Sequence, residues 1–351
     1  MKEKDYSISL LRMLAVISII FCHSFEYSSS IFADKSWILR SIGNYLANGV
    51  QVFLIISGFL YGNICFRGKV ENRNLFSDSK IRVNFLIKNS LKILKDYWVY
   101  CILVIFPVYY FKESIILTKK EVLGILVTSN VIDGVHHLWF ISYILFCYFL
   151  TPYLFDIKEY LKSKSKKGFI IGVVFVFFII IVFSYFFRFY FIPEWICCYI
   201  IGFFMIDIIK LLNSREKNIL RILIIFNFVL LNILRYYCNY INSTLLPREI
   251  TIKITQWSQV LFAIVTFFLV YKRKILSNKL KVVLDFSDKY SYDIYLAHMI
   301  YVKGALSVIF LTKFLILNYL IAIFLSVSSG IILYHSCRKI EKLISLKKGV
   351  K

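Results

Sequence analysis

An arginine and a histidine stand eleven positions apart inside the first long apolar stretch of the chain, at Arg12 and His23. At about 100° per residue, eleven steps make roughly three helical turns plus 20°, so both side chains leave one helix face, about 16 Å apart. A charged residue at membrane depth costs about 2.5 kcal/mol or more on insertion scales, and it normally faces a bundle interior or a cavity. The pair is therefore a candidate functional site.

Glu26 follows His23 by three residues, a spacing that places the two side chains on neighbouring positions of a helix. A carboxylate there orients the imidazole, keeps one ring nitrogen protonated and leaves the other free as a general base. The pattern therefore predicts His23 and Glu26 as catalytic residues. The alternative is an interfacial histidine and a solvated glutamate at the end of a helix.

Arg12 carries a permanent charge on a guanidinium group that suits phosphate. It lies near the predicted cytoplasmic end of its helix, so we expect it to bind the phosphates of a cofactor. The alternative is an arginine that extends to the inner headgroups, as is common near helix ends. The distance of about 16 Å from His23 resembles the reach of a pantetheine arm, and this length alone suggests acyl-CoA.

The composition around these residues predicts a membrane protein. Apolar residues make up 59% of the 351 residues and charged residues only 18%, and the apolar residues come in blocks near the bilayer-spanning length of about 20 residues. We predict an all-α, polytopic membrane protein with a single domain over residues 1–351 and no appended soluble domain. Its predicted spans, about ten in number, are 8–25, 46–66, 97–111, 138–155, 169–187, 193–209, 219–235, 255–271, 291–311 and 314–335.

The basic residues indicate an orientation, because cytoplasmic loops collect Lys and Arg. If the loops alternate between the two sides of the membrane and both termini are cytoplasmic, the inner segments hold about three times as many basic residues as the outer segments. This topology explains the net charge of +23, so no nucleic-acid partner is expected.

Asp207 lies near an inner helix end beside Lys210 and is predicted to be interfacial. The eight cysteines form no C-x-x-C pair, so neither a disulfide framework nor a metal site is predicted.

Four motifs follow one another along the predicted spans. They are Arg12 and His23 with ten residues between them, Gly49 to Phe53 running on to Ser57-Gly58-Phe59, His137 to Ile141 at the start of the fourth span, and Ser291 to His298 at the start of the ninth. In this order they resemble the acyltransferase 3 family of integral membrane acyltransferases, and the resemblance covers nearly the whole chain.

The resemblance implies transfer of an acyl group, usually acetyl from acetyl-CoA, to a hydroxyl of a cell-surface carbohydrate such as O-antigen, capsule or exopolysaccharide. It implies a multi-pass protein of the bacterial cell membrane. Arg12 and His23 match the essential pair of the family, and Trp139 and His298 match recurrent positions. The family often has an acidic residue after Gly-Val, where this chain has Gln51.

Other polar residues in the spans are candidates for lining a cavity or binding the acceptor. They are Gln51, Ser57, His137, Trp139 and His298. An amide in an apolar helix also favours an interhelical hydrogen bond, and Ser57-Gly58 favours close helix approach or a local break near a cavity. His137 and Trp139 equally suit anchoring at the membrane interface, and His298 equally suits a packed core.

A transporter or flippase for a lipid-linked sugar or small anion is the alternative function, with Arg12 and His23 lining a substrate or proton path. For the acyltransferase, the expected partners are acyl-CoA on the cytoplasmic side, a carbohydrate or lipid-linked glycan acceptor, and the lipid bilayer. The sequence leaves an oligomer open.

Overall fold

The computed structural model describes residues 4–29, 36–67, 79–111, 118–126, 136–187, 192–241, 246–273 and 277–349. These ranges contain helices and turns but no strand, which confirms the all-α prediction for the described part of the chain. The helices are α1 (Tyr6–Ser29), α2 (Ser36–Leu46), α3 (Gly49–Arg67), α4 (Ser79–Tyr100), α5 (Phe106–Phe111), α6 (Lys119–Leu126), α7 (Trp139–Lys162), α8 (Lys166–Phe187), α9 (Pro193–Leu211), α10 (Ser214–Tyr236), α11 (Arg248–Val270), α12 (Asn278–Val302) and α13 (Leu315–Gly349).

Several of these helical stretches have the length and apolar composition to cross a bilayer. Among the described residues there are six, at Tyr6–Ser29, Ile38–Asn63, Trp139–Lys162, Ser214–Asn239, Arg248–Val270 and Leu315–Leu343. A helix needs about 20 predominantly apolar residues to span the hydrocarbon core. The chain is thus a helical membrane protein, while the count of about ten spans and the cytoplasmic termini stay predictions.

The ninth predicted span, 291–311, is wrong in its bounds. α12 starts well before it, after Ser277, whose hydroxyl accepts a hydrogen bond from the Leu280 amide (3.4 Å). It also ends earlier, because the amide of Gly304 donates back to the Met299 carbonyl (2.9 Å) and closes the last turn. The residues that follow this turn are mostly apolar as well, so hydropathy could not locate the end of the helix.

The third predicted span, 97–111, is the second part of a longer helical path. A π-helical turn at Cys101–Ile105 joins α4 directly to α5. The charged first half of α4 lowers its hydropathy, so a search for apolar blocks finds only the second half.

By its internal contacts the chain divides into two compact units. The first unit comprises residues 1–11, 48–86 and 146–274, and the second comprises 12–47, 87–145 and 275–351. Gln51 and Ser57 belong to the first unit. The remaining predicted site residues, Arg12, His23, Glu26, His137, Trp139 and His298, all belong to the second.

Close backbone contact between α3 and α9 holds the first unit together. A Cβ atom added to Gly58 would lie 1.9 Å from the Tyr199 carbonyl oxygen, and one added to Gly202 would lie 2.2 Å from the Ile55 carbonyl oxygen. Gly62, one helical turn after Gly58, has a similar contact with α9. Small residues four apart let membrane helices approach closely, which confirms the close helix approach predicted at Ser57-Gly58.

A buried ion pair also links helices of the first unit. Lys158 on α7 is 0% exposed, and its Nζ forms an ion pair with Asp207 on α9. The same ammonium group donates to the Gly62 carbonyl of α3 (3.0 Å). The charge of Asp207 is therefore held inside the unit by a lysine on another helix, a partner that the prediction of an interfacial residue beside Lys210 did not include.

In the second unit, α1 and α12 both pack against α13. The Tyr319 hydroxyl of α13 donates to the Ser28 hydroxyl of α1 (2.9 Å). A Cβ atom on Gly330 of α13 would lie 2.6 Å from the Ile294 side chain, so α13 and α12 are in close contact. These contacts fix the second half of α1, which carries His23.

Candidate active site

Three of the five histidines of the chain come together in the second unit. The ring of His298 stacks on that of His23, with 5.6 Å between ring centroids and an angle of 26° between the planes. The same ring also meets that of His137 edge-on, at 4.9 Å and 74°. α1, α12 and the 3₁₀ turn before α7 thus each contribute one imidazole to a histidine cluster of His23, His137 and His298.

His298 is the fully buried member of the histidine cluster, with 0% exposure. Its Nδ1 lies 2.6 Å from the Tyr295 carbonyl oxygen, one helical turn earlier, so Nδ1 carries the proton and donates it. Nε2 is then the nitrogen with the lone pair, and it has no hydrogen-bond partner among the described residues. Buried polar atoms are normally satisfied, so this lone pair is an exception that can still accept a hydrogen bond.

His137 joins the 3₁₀ turn to α12. Its Nε2 lies 3.0 Å from the carbonyl oxygen of Leu296, and in return the Tyr295 hydroxyl donates to the carbonyl of His137. The side chain of His137 is buried at 2% exposure. These reciprocal hydrogen bonds hold His137 against α12 and next to His298.

Glu26 lies beside His23, as the spacing predicts. The distance from Nδ1 of His23 to Oε2 of Glu26 is 3.4 Å, and the Glu26 side chain is 69% exposed. A normal N–H···O hydrogen bond measures about 2.7–3.2 Å, so this contact is long. The carboxylate faces the imidazole without locking it, and the catalytic role of both residues stays a prediction.

Arg12 has an acidic partner that sequence reasoning missed. Its Nη1 donates to Oδ1 of Asp288 on α12 (2.9 Å), with 28% and 14% of the two side chains exposed. A guanidinium has five N–H donors, so the pairing leaves donors for a second anion. Asp288 lies 276 positions away in the sequence, and no local pattern signals such a contact.

Trp139 begins α7 immediately after the turn that carries His137. It is half-buried and packs edge-on against Tyr143, with ring centroids 5.0 Å apart. The tryptophan therefore packs among the aromatic side chains of the first turns of α7.

Gln51 and Ser57 take part in helix contacts of the first unit. The Gln51 amide donates to the side-chain oxygen of Gln259 on α11 (3.3 Å), which confirms the interhelical hydrogen bond predicted as its alternative role. Ser57 directly precedes Gly58, where α3 and α9 are in close contact. Both positions are thus part of helix packing in the first unit.

Cys22, His23 and Glu26 are the described residues whose arrangement comes nearest to a metal site. Their ligand atoms all lie within 4.8 Å of one another. A tetrahedral zinc site takes four ligands, or three with one open position. In this group, however, the His23 imidazole is stacked on His298 and Cys22 is buried within the helix packing. Contacts within the protein therefore account for the positions of these two side chains.

The described residues form a helical membrane protein in which α1 carries Arg12, paired with Asp288, and about three turns later His23, stacked on His298. The chain belongs to the acyltransferase 3 family, whose model, described as an acyltransferase domain, matches residues 5–335. This confirms the resemblance found in the motifs, and with its apolar helices the protein is a membrane acyltransferase. No curated protein and no solved structure matches the chain.

Proposed function

We propose that the protein transfers an acetyl group from acetyl-CoA to a hydroxyl of a cell-surface carbohydrate. The observation that carries the proposal is the imidazole of His23, partly exposed and stacked on the buried ring of His298 within an acyltransferase-family chain. Acetyl-CoA and a carbohydrate are the donor and acceptor that the family resemblance implies.

In the proposed reaction, His23 is the general base. With Nδ1–H directed at Glu26, the Nε2 atom takes the proton of the acceptor hydroxyl while its oxygen attacks the thioester carbonyl. The carbon–sulfur bond then breaks, the ester forms, and the CoA thiolate takes the proton from the imidazolium. The histidine returns to its starting form, and no further reactant is consumed.

Arg12 is the residue proposed to bind the phosphates of acetyl-CoA. Asp288 holds one amino group of the guanidinium, and the remaining N–H donors are available for the charge-assisted hydrogen bonds that phosphate forms. Arg12 and His23 lie on one continuous helix, about 16 Å apart along its axis. That length allows one ligand to contact the arginine with its phosphates and the histidine with its thioester.

A covalent route uses the same residues. His23 would attack the thioester itself, carry the acetyl group on a ring nitrogen and pass it to the acceptor hydroxyl in a second step. A bound label on the protein after incubation with labelled acetyl-CoA, without acceptor, distinguishes this route from direct transfer. The family does not favour the transporter or flippase alternative.

Labelled acetyl-CoA added to membranes that contain the full chain tests the proposal. We expect base-labile label on the glycan with the wild-type protein and none with His23→Ala at the same amount of protein in the membrane. His335→Ala is the matched control, since His335 lies outside the histidine cluster and contacts Tyr290. Full glycan labelling by His23→Ala would refute the catalytic assignment.

A further inference from the structure

A groove of about 340 Å³ lies between α10 and α11 in the first unit. Ile224 of α10 and Val265 and Phe268 of α11 form part of its apolar wall. Arg221 near the start of α10 lines the same groove as Lys272 and Arg273, which lie two and three residues after the end of α11. Three cations therefore gather at one end of an apolar groove.

The charge at this end of the groove is not neutralised within the described part of the chain. No acidic residue lines the groove there, and none of the three cations forms an ion pair with a described residue. The Nε of Arg273 donates to the Leu269 carbonyl (2.5 Å), and the Nζ of Lys272 lies 5.6 Å from the centre of the Tyr271 ring. The positive end suits an anion.

The turn that carries Lys272 is held in place. Lys272 has a φ of 63°, in the left-handed region that a lysine rarely adopts, and its amide donates to the hydroxyl of the buried Ser7 (3.1 Å). The backbone of this turn by itself would favour glycine. The lysine found there instead places a cation at the end of the groove.

The helix on one side of the groove presents an apolar surface outward. α10 lies within a candidate membrane span of which only 6% is buried in the protein, and Ile222, Phe226 and Ile233 are each more than half exposed. Such a surface belongs in the hydrocarbon of a bilayer. The groove beside it is therefore accessible to lipid.

We infer that the groove binds an anionic phospholipid of the surrounding bilayer. The headgroup phosphate lies among Arg221, Lys272 and Arg273, and an acyl chain lies along the apolar wall. A neutral lipid would not use the three cations, and a free phosphate would not use the wall. The inference is independent of acyl transfer, because the proposed catalytic residues belong to the other unit.

Native mass spectrometry of the delipidated full chain in detergent tests the site, with phosphatidylglycerol and phosphatidylcholine as probes. We expect phosphatidylglycerol to bind more tightly than phosphatidylcholine. Changing Arg221, Lys272 and Arg273 together to Gln should weaken phosphatidylglycerol binding about a hundredfold at low salt, since each cation near a membrane surface contributes about a fivefold factor.

The matched control removes the same charge elsewhere, by changing Arg215, Lys279 and Lys339 together to Gln. None of these residues lines the groove, so phosphatidylglycerol affinity should stay near the wild-type value. A second variant, Ile225→Trp, fills the groove without altering charge and should also weaken binding; it decides the question if the triple variant does not fold.

Three results would overturn the inference. One is an equal loss of phosphatidylglycerol affinity in the groove variant and the charge control, and another is equal wild-type affinity for the two lipids. The third is full displacement of phosphatidylglycerol by millimolar inorganic phosphate or by CoA, which would make this a phosphate site that does not need the apolar wall.

Discussion

At the scale of one residue, His298 is a fully buried side chain in contact with the proposed catalytic base. Its ring stacks on His23, and its protonated nitrogen is committed to the Tyr295 carbonyl. A ring held in this way restricts the orientation of the imidazole stacked on it. We therefore regard His298 as a positioning residue for His23.

Replacing His298 tests that role. We expect His298→Ala to lower kcat by up to about a hundredfold, because small displacements of a catalytic group cost this much, with little change in KM for acetyl-CoA. His298→Asn, which keeps a donor toward the Tyr295 carbonyl, should recover part of the rate. Steady-state kinetics and the pH–rate profile are the measurements, and an unchanged kcat with an unchanged profile would contradict the assignment.

Arg12 makes a separate prediction that concerns the donor substrate. Arg12→Ala removes the phosphate-binding donors and should raise KM for acetyl-CoA about tenfold or more, since a hydrogen bond to a charged group contributes about 1.5–3 kcal/mol. Lys279→Ala is the control, because this exposed lysine lies on the helix that carries Asp288. An unaltered dependence of the rate on acetyl-CoA concentration would exclude phosphate binding by Arg12.

At the scale of helices, small residues and one buried charge decide how the first unit packs. The Ser57-Gly58 pair predicts close helix approach, but the sequence does not identify the partner helix. That partner is α9 at Gly202, where the backbone of one helix fills the space that a side chain on the other would need. The contact is a property of two surfaces and not of either sequence segment.

The ion pair of Lys158 and Asp207 predicts a non-additive stability effect. Lys158→Met leaves Asp207 as a buried unpaired charge and should destabilise the protein by about 3–5 kcal/mol. Adding Asp207→Leu should restore much of that loss, because two apolar residues replace both charges. Thermal unfolding of both variants in detergent measures the effect. If the double variant is less stable than Lys158→Met, the pair does more than let two buried charges neutralise each other.

At the scale of the whole molecule, the distribution of basic residues predicts which ends of the helices face the cytoplasm. Lys279 near the start of α12 and Lys313 beyond its end lie in segments assigned to opposite sides of the membrane, and both are exposed. The seven cysteines that the structure describes as free thiols are all buried, so they interfere little with labelling of an introduced cysteine.

Cysteine labelling tests this topology. A membrane-impermeant maleimide should label Lys313→Cys in intact cells, and Lys279→Cys only after the cells are opened, because Lys-rich loops stay inside. The two positions serve as controls for each other. Labelling of both in intact cells, or the reverse pattern, would show that the predicted orientation is wrong.

The sequence by itself determined the helical membrane class, the family and the shared helix face of Arg12 and His23. These features follow from local quantities, since hydropathy over about 20 residues decides membrane insertion and a fixed angle per residue decides which side chains share a face. The neighbouring position of Glu26 follows for the same reason, although its distance to His23 does not.

Only the tertiary structure decided which distant side chains meet. The pairing of Arg12 with Asp288, the meeting of His23, His137 and His298, and the burial of Asp207 all join separate helices. Each depends on the shapes of two or three helix surfaces and on the burial of charge between them. A short segment of the sequence does not contain that information, because such contacts form and stabilise the protein only when the helices pack together.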